Sequence, residues 1–291
     1  MKRILIAGAN SYIGTALDAY LKQWPDRYGV DTVDMKGDAW RDKRFGKYDA
    51  VYHVAGIAHT DIRNLDAEGI ANYKRVNTDL AVEVAVKAKA EGVRQFIFMS
   101  SANVYGDNAP IGKKKIITKD TVPQPVDLYG ESKRKAELGI LPLQGRGFKV
   151  VILRPPMIYG KGCKGNYPKL AKLARTVPIF PYVDSYLPMI HIDNLNEFVR
   201  LLVEQEEYGI FCPQNAEPVN TSLIAKEIAA AHGKRLILVK GFGWALKILG
   251  RFTGMVNKAF GNLTYDPEMS AYKTAYVKYG FKQSIWVTEK D

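Results

Sequence analysis

The sequence predicts an α/β fold, a doubly wound parallel sheet followed by a smaller mixed C-terminal lobe, and three observations carry that prediction. Short apolar runs alternate with helical patterns through the first half of the chain, the signature of βαβ units. A turn with two spaced glycines, Gly8 and Gly14, joins the first run to the first helix. After Arg154-Pro155-Pro156 the texture changes to a stretch rich in Gly, Pro, Lys and Tyr, as expected of an insertion that helps to form a site.

Taken in order, Arg3–Gly8 reads as a buried opening strand, and Tyr12–Lys22 as the helix after it. Strands are expected over Val30–Asp34 and Asp49–Val54. A long helix from about Asp66 to Gly92 follows, with Leu80, Ala81, Val84, Ala85 and Ala88 at helical spacing. Gln95–Ser100 is the next strand, Tyr129–Arg146 is helical in its first turns, and Lys149–Leu153 is β-rich. Asp193–Gln205 resumes as an amphipathic helix, Ile210–Cys212 as a short strand, and Thr221–His232 as a helix capped by Thr221 or Ser222. The expected division is a dinucleotide-binding domain over residues 1–160 plus about 191–213. A substrate-binding lobe takes about 161–190 plus 214–291.

Composition narrows the class. The chain has 291 residues, 47% hydrophobic and 25% charged, which fits an ordinary globular protein. No fixed-period repeat is present. The apolar stretch before Gly8 is too short for a signal segment, and no run reaches the eighteen or so apolar residues of a membrane span. Cys163 and Cys212 lack metal-ligand spacing and give no disulfide framework. A cytoplasmic protein with no metal is expected. The net charge is +12, compatible with an anionic small-molecule partner or with surplus surface lysine. No Asp or Glu occurs from Ile228 to Tyr265, and within that stretch residues 242–260 are basic and partly amphipathic, a pattern that can lie on an anionic bilayer. The expectation is that they pack in the lobe instead, without nucleic-acid binding.

Three groups of residues carry the chemistry. In AGANSYIG, Gly8 and Gly14 bracket Ser11, which stands where a middle glycine would be. Such a turn brings backbone N–H groups to a pyrophosphate at a helix N-terminus. Asp34 closes the second strand, placed so that a carboxylate accepts the adenosine ribose hydroxyls; it repels a 2′-phosphate and so favours NAD over NADP. Asp42 is a candidate for the adenine amino group.

Tyr129-Gly-Glu-Ser-Lys133 puts a phenol and an ammonium one helical turn apart. The ammonium is expected to lower the phenol's pKa and make it a usable acid–base. With 17 tyrosines, roughly one or two Y-x-x-x-K matches arise by chance, so position decides. The pair follows a strand ending in Ser100-Ser101, where a hydroxyl faces the ligand crevice of an open α/β sheet.

These pieces, GANSYIG, Asp34, YHVAGIAH (52–59), Asn77 in RVNTDL, FMSSANVYG, YGESK and LRPPMIYG, occur in order over the first 160 residues. Together they resemble the extended short-chain dehydrogenases/reductases, in the NAD-dependent epimerase/dehydratase group that acts on nucleotide sugars on a Rossmann fold. The resemblance implies Tyr129 as acid–base, Lys133 as its partner and a ribose ligand, and Ser101 as the hydroxyl on the reacting oxygen. It implies a pyrophosphate loop of Gly8, Ser11, Tyr12, Ile13 and Gly14, a backbone strip at Ala55 and Gly56, Asn77 near the cofactor, and Pro155 flanking the nicotinamide. Asn166 resembles a substrate-binding asparagine, with Asn103, Tyr105 and Lys161 as weaker contacts. The long helix and the tyrosine helix resemble a pair that forms a homodimer's four-helix bundle.

Two departures stand out. Ser11 replaces a glycine. Tyr186-Leu187-Pro188-Met189 stands where the family often has an arginine on the sugar diphosphate, a task that would pass to Lys161 or Arg251. The expected activity is a UDP-hexose 4-epimerase using NAD, with hydride leaving and returning at C4. A 4-keto sugar-nucleotide reductase is the alternative, and a non-catalytic NAD-binding regulator a further one. Ser101 is followed by Ala102-Asn103 rather than an acidic pair, which disfavours a dehydratase. His191 reads as structural, and His59 as a possible cofactor or substrate contact.

Overall fold

The computed structural model describes residues 1–58, 60, 65–241 and 260–290. In chain order its strands and main helices are β1 (Lys2–Ala7), α1 (Tyr12–Leu21), β2 (Tyr28–Val33), β3 (Ala50–His53), α2 (Ala67–Lys74), α3 (Leu80–Ala90), β4 (Gln95–Met99), β5 (Ile116–Ile117) and α4 (Leu128–Ile140). There follow β6 (Lys149–Leu153), β7 (Met157–Tyr159), α5 (Asn166–Thr176), β8 (Ile179–Pro181), β9 (Tyr186–Leu187), β10 (Met189–His191), α6 (Ile192–Glu204), β11 (Gly209–Phe211), β12 (Val219–Asn220), α7 (Thr221–Ala231), β13 (Ile237–Val239) and β14 (Thr264–Tyr265). A last helix spans Phe281–Lys290.

The chain divides into two compact units. The first comprises Met1–Gly106, Pro123–Pro155 and Asn196–Cys212; the second comprises Asp107–Val122, Pro156–Leu195 and Pro213–Asp291. The sequence reading kept residues 107–122 and 156–160 with the dinucleotide-binding segment, whereas here they cluster with the second unit.

In the first unit six parallel strands are ordered β11-β6-β4-β3-β1-β2. The order reverses at β1, so the carboxyl ends of β1 and β3 flank a topological switch point, where open α/β sheets bind ligands. The strands read as continuous apolar runs because both faces are covered; Ile4, Leu5, Ile6 and Ala7 are all fully buried. One face packs Leu5, Val51, Phe96, Phe98, Val150 and Ile152 against Leu80, Ala81, Val84, Ala85 and Ala88 of α3 and Ala136 and Ile140 of α4.

The expected single helix over 66–92 is α2 and α3 joined by a π-helical segment, Arg75–Asp79. The extra residue of a π turn aims side chains that a straight helix would not, and Asn77 lies within it, buried.

The second unit is built from two-stranded ladders, β10-β7, β12-β9, β13-β8 and β14-β5, with α5 and α7. Its core gathers Tyr159, Tyr167, Phe180, Ile224, Ile228 and Ile285. The cap of α7 is Asn220, not Thr221 or Ser222: its side-chain oxygen accepts from Ser222 N and Leu223 N, whereas Thr221 already lies within the first helical turn. Among the described residues no helix is long and apolar enough to cross a membrane. His59, Arg251 and residues 242–259 lie outside the described residues.

Candidate active site

The loop after β1 is fixed by its own small residues. Ser11 caps α1: its hydroxyl donates to Gly8 O at 2.8 Å and accepts from Gly14 N at 3.0 Å. That accounts for a serine in the glycine's place, because a cap oxygen stabilises the helix start. It also takes the Gly14 amide for itself. Gly8 has φ of +129°, and a Cβ there would lie 2.9 Å from Ala55 N; only glycine tolerates both conditions. Tyr12 and Ile13 open the helix that Ser11 caps.

The strip after β3 packs as closely. Ala55 N donates to Ala7 O at 3.0 Å. A Cβ on Gly56 would meet Asn77 Oδ1 at 2.9 Å and Lys133 Nζ at 3.4 Å. Asn77 bonds both ways to Ile57, its Oδ1 accepting from Ile57 N at 2.7 Å and its Nδ2 donating to Ile57 O at 3.0 Å. At the end of β2 the exposed Asp34 accepts from Asn10 Nδ2 at 3.3 Å and from Lys36 N at 3.0 Å. Asp42 is exposed at the end of a single 3-10 turn, Ala39–Asp42. The close-packed glycines, a capped helix start and an exposed carboxylate beside them are what a dinucleotide would need, with Asp34 available for a ribose and the loop amides for a pyrophosphate.

The catalytic candidates come together on β4 and α4. Asp127 caps α4, its carboxylate accepting from Gly130 N at 2.7 Å, so Tyr129 falls in the first helical turn. Gly130 lets that turn approach the next loop: a Cβ there would sit 2.5 Å from Asn103 O. Ser101, just past β4, caps a 3-10 turn, Ala102–Tyr105, through Asn103 N, and its hydroxyl faces the Tyr129 phenol closely enough to lower the phenol's pKa. Lys133 is buried one turn further along α4 and donates to Met99 O at 2.8 Å. Its ammonium lies 4.8 Å from the Phe98 ring centre and 6.0 Å from that of Tyr129.

The electrostatics correct one expectation. Lys133 was expected to lower the Tyr129 pKa. Instead burial pushes the phenol up to about 12, with the Ser101 hydroxyl lowering it and the Asp127 carboxylate raising it. The ring keeps partial exposure, yet protein atoms crowd it closely enough for desolvation to dominate. Burial also brings Lys133 down to about 8, against the opposing pull of Glu137. Its ammonium is committed to the Met99 carbonyl.

Pro155 is buried and its carbonyl accepts from Ala102 N at 2.9 Å, which joins the ends of β4 and β6. Asn103 is exposed, its Oδ1 accepting from Ser101 Oγ at 3.2 Å. Tyr105 is buried, and its hydroxyl accepts from Arg154 Nη1 at 2.8 Å. In the second unit Lys161 and Asn166 are exposed, Asn166 opening α5. His191 is buried there, its Nδ1 accepting from Asp193 N at 3.2 Å.

Sequence reasoning did not pick out Asp127, Gly130 or Asn10. Asp127 was accessible, since an Asp just before an apolar helical run marks a cap. Gly130 and Asn10 act through contacts distant in sequence that leave no local pattern.

Comparison with known proteins places this geometry in context. The model of the family described as NAD dependent epimerase/dehydratase matches residues 4–211. A UDP-glucose 4-epimerase from Vibrio cholerae is 28% identical over 312 aligned residues, covering 97% of this chain and 94% of that protein. Among solved structures, the UDP-glucuronic acid 4-epimerase of Bacillus cereus in complex with NAD superposes with a TM-score of 0.74 at 18% identity, covering 99% of this chain and 95% of the other. A dTDP-4-dehydrorhamnose reductase from Clostridium acetobutylicum superposes with a TM-score of 0.72 at 18% identity, with 98% of each chain covered. At these identities the two structural likenesses speak for the fold.

Proposed function

The chain belongs to the NAD-dependent epimerase/dehydratase family, and from that premise we propose that it is a nucleotide-sugar 4-epimerase acting on UDP-linked hexoses. Membership makes it an NAD-dependent enzyme of the extended short-chain dehydrogenase/reductase type. The observation that carries the reading is the convergence of Ser101 and Tyr129, whose phenol pKa the serine lowers, with Lys133 buried one turn below. Near-complete mutual coverage with a UDP-glucose 4-epimerase supports the epimerase over other family activities.

In this mechanism Tyr129 takes the proton from the sugar's C4 hydroxyl while Ser101 holds the same oxygen. Bound NAD supplies the hydride acceptor and then the donor at that carbon. A phenol held near 12 is mostly protonated at neutral pH, so it gives up its own proton to solvent first, and the phenolate so formed is what takes the C4 hydroxyl proton. The same phenol is a ready proton donor to a ketone oxygen when the reaction reverses. Lys133 and Asn77 hold the floor beneath, and Asp34 the adenosine end. Asn103, Lys161 and Asn166 are the proposed sugar-nucleotide contacts, whereas Tyr105, buried with its hydroxyl on Arg154, is not counted among them.

That protonated phenol is also what a 4-keto sugar-nucleotide reductase would use, and this gives the second reading its support. The two are separated by cofactor demand. The purified protein is expected to carry NAD and to interconvert UDP-glucose and UDP-galactose with no added cofactor. Consumption of one NADH per turnover, with a 4-keto sugar nucleotide as the only substrate, would establish the reductase instead.

A further inference from the structure

Two turns of α4 below Tyr129 lies a carboxylate that the proposed reaction does not use. Glu137 is 0% exposed, and Arg154, at the end of β6, is 4% exposed. Every oxygen of Glu137 is taken. Oε1 accepts from Ser100 Oγ at 2.6 Å and from Arg154 Nε at 2.9 Å. Oε2 accepts from Arg154 Nη2 at 2.7 Å and from Arg134 Nη1 at 3.0 Å. Arg154 spends its remaining nitrogen, Nη1, on Tyr105, and its guanidinium lies 5.1 Å from that ring's centre.

Burying such a pair brings little net stability. The desolvation of both ions offsets their attraction, and apolar residues of similar volume commonly do as well. What a bidentate pair provides is direction, because the planar fork fixes two groups in one relative orientation. The groups fixed here are the immediate neighbours of the site. Ser100 adjoins Ser101, Arg154 adjoins Pro155, and Glu137 is one helical turn from Lys133. Tyr129, Lys133 and Glu137 share a face of α4 at successive turns, and they meet Ser101, Met99 and Ser100 respectively.

We propose that Glu137 and Arg154 are positioning residues, a buried clamp that holds the tyrosine helix against the ends of β4 and β6 in the alignment that proton and hydride transfer require. The clamp rests on the reading of Tyr129, Lys133 and Ser101 as the reacting constellation. It touches neither substrate nor cofactor and acts through those three residues and Pro155. Misalignment by about 1 Å can cost on the order of 100-fold in rate.

The test uses the full-length enzyme with three variants: Glu137→Gln, Arg154→Met and the double variant. Glu137→Gln leaves the buried Arg154 without a carboxylate, and Arg154→Met leaves Glu137 only its partly exposed partner Arg134; each is expected to lower the melting temperature. The double change removes both charges and is expected to bring the melting temperature back to that of the unmodified protein. If the pair were merely structural, kcat would return with it. The clamp predicts that the double variant keeps a kcat roughly 10- to 100-fold below the unmodified enzyme, with KM for the UDP-hexose within about twofold. It also predicts NADH binding at least about fivefold weaker, since Lys133 and Pro155 lose their alignment. Recovery of both kcat and NADH affinity in the double variant would overturn the proposal. Should the unmodified protein turn over no sugar nucleotide, the reading of the preceding section fails on its own. The NADH titration of the double variant then decides the clamp, unchanged affinity refuting it.

Discussion

The Tyr129 phenol is the proposed acid–base, and burial holds its proton rather than releasing it. Tyr129→Phe removes the only proposed carrier of that proton and is expected to lower kcat by at least about 1000-fold while leaving the melting temperature within a few degrees. Retained turnover in that variant would refute the assignment. His53 offers a prediction of another kind. It is fully buried at the end of β3, its ring 6.1 Å from that of Phe96 and 6.0 Å from that of Phe98, with neither nitrogen hydrogen-bonded to any described residue. Burial, reinforced by the nearby Lys133 charge, drives its pKa down to about 3. The unfolded chain therefore binds this proton below about pH 6.5 while the folded one refuses it, and stability falls as the pH drops through that range toward 3. Between pH 7 and pH 5 the loss from this group is about 2 kcal/mol. Urea unfolding at both pH values checks it: His53→Phe should show a pH-dependent loss smaller by that amount, and an identical loss would show that the histidine is protonated in the fold.

At the scale of elements, the tyrosine helix is seated by a contact that admits no side chain. Gly130→Ala would drive a methyl group to 2.5 Å from the Asn103 carbonyl oxygen, so α4 must shift away from the Ser101 turn. A loss of about 1–3 kcal/mol in stability and a fall in kcat on the order of 100-fold are expected, measured by thermal melts and steady-state assays. Unchanged kcat would mean that the Ser101–Tyr129 pairing tolerates that displacement. Most elements of the sheet could be read from the sequence, because buried parallel strands write themselves as unbroken apolar runs and the helices between them as spaced ones. The Gly8 turn, Ser101 and the Tyr129–Lys133 pair were readable for the same reason: each is local. What escaped depends on distant partners. The π turn that aims Asn77 has no pattern distinct from the helices beside it, Arg154 looks like an ordinary residue before two prolines, and the phenol's raised pKa follows from packing that no spacing encodes.

For the whole molecule, the two units keep separate cores, and the residues proposed for the proton chemistry all belong to the first. Changes at Lys161 or Asn166 in the second unit are therefore expected to raise KM for the sugar nucleotide while cofactor retention is unchanged; loss of bound NAD in Asn166→Ala would contradict that division. The exposed Val86 of α3 and Leu138 of α4 lie on the helix pair expected to form a homodimer bundle. Light scattering should then give twice the 32.6 kDa chain mass, falling to a single mass when Leu138 is replaced by Glu, whereas a monomeric unmodified protein would dismiss the bundle. One feature of the sheet reaches further than either test. Met99, Ser100 and Ser101 are consecutive, and each serves a different residue of α4. Strand β4 thus works as a ruler: a single-residue deletion within it would slide all three marks at once and turn each to the opposite face. Engineering of this protein must therefore keep the length of that strand, as it must keep the Gly8 and Ser101 turns, if the proposed site is to survive.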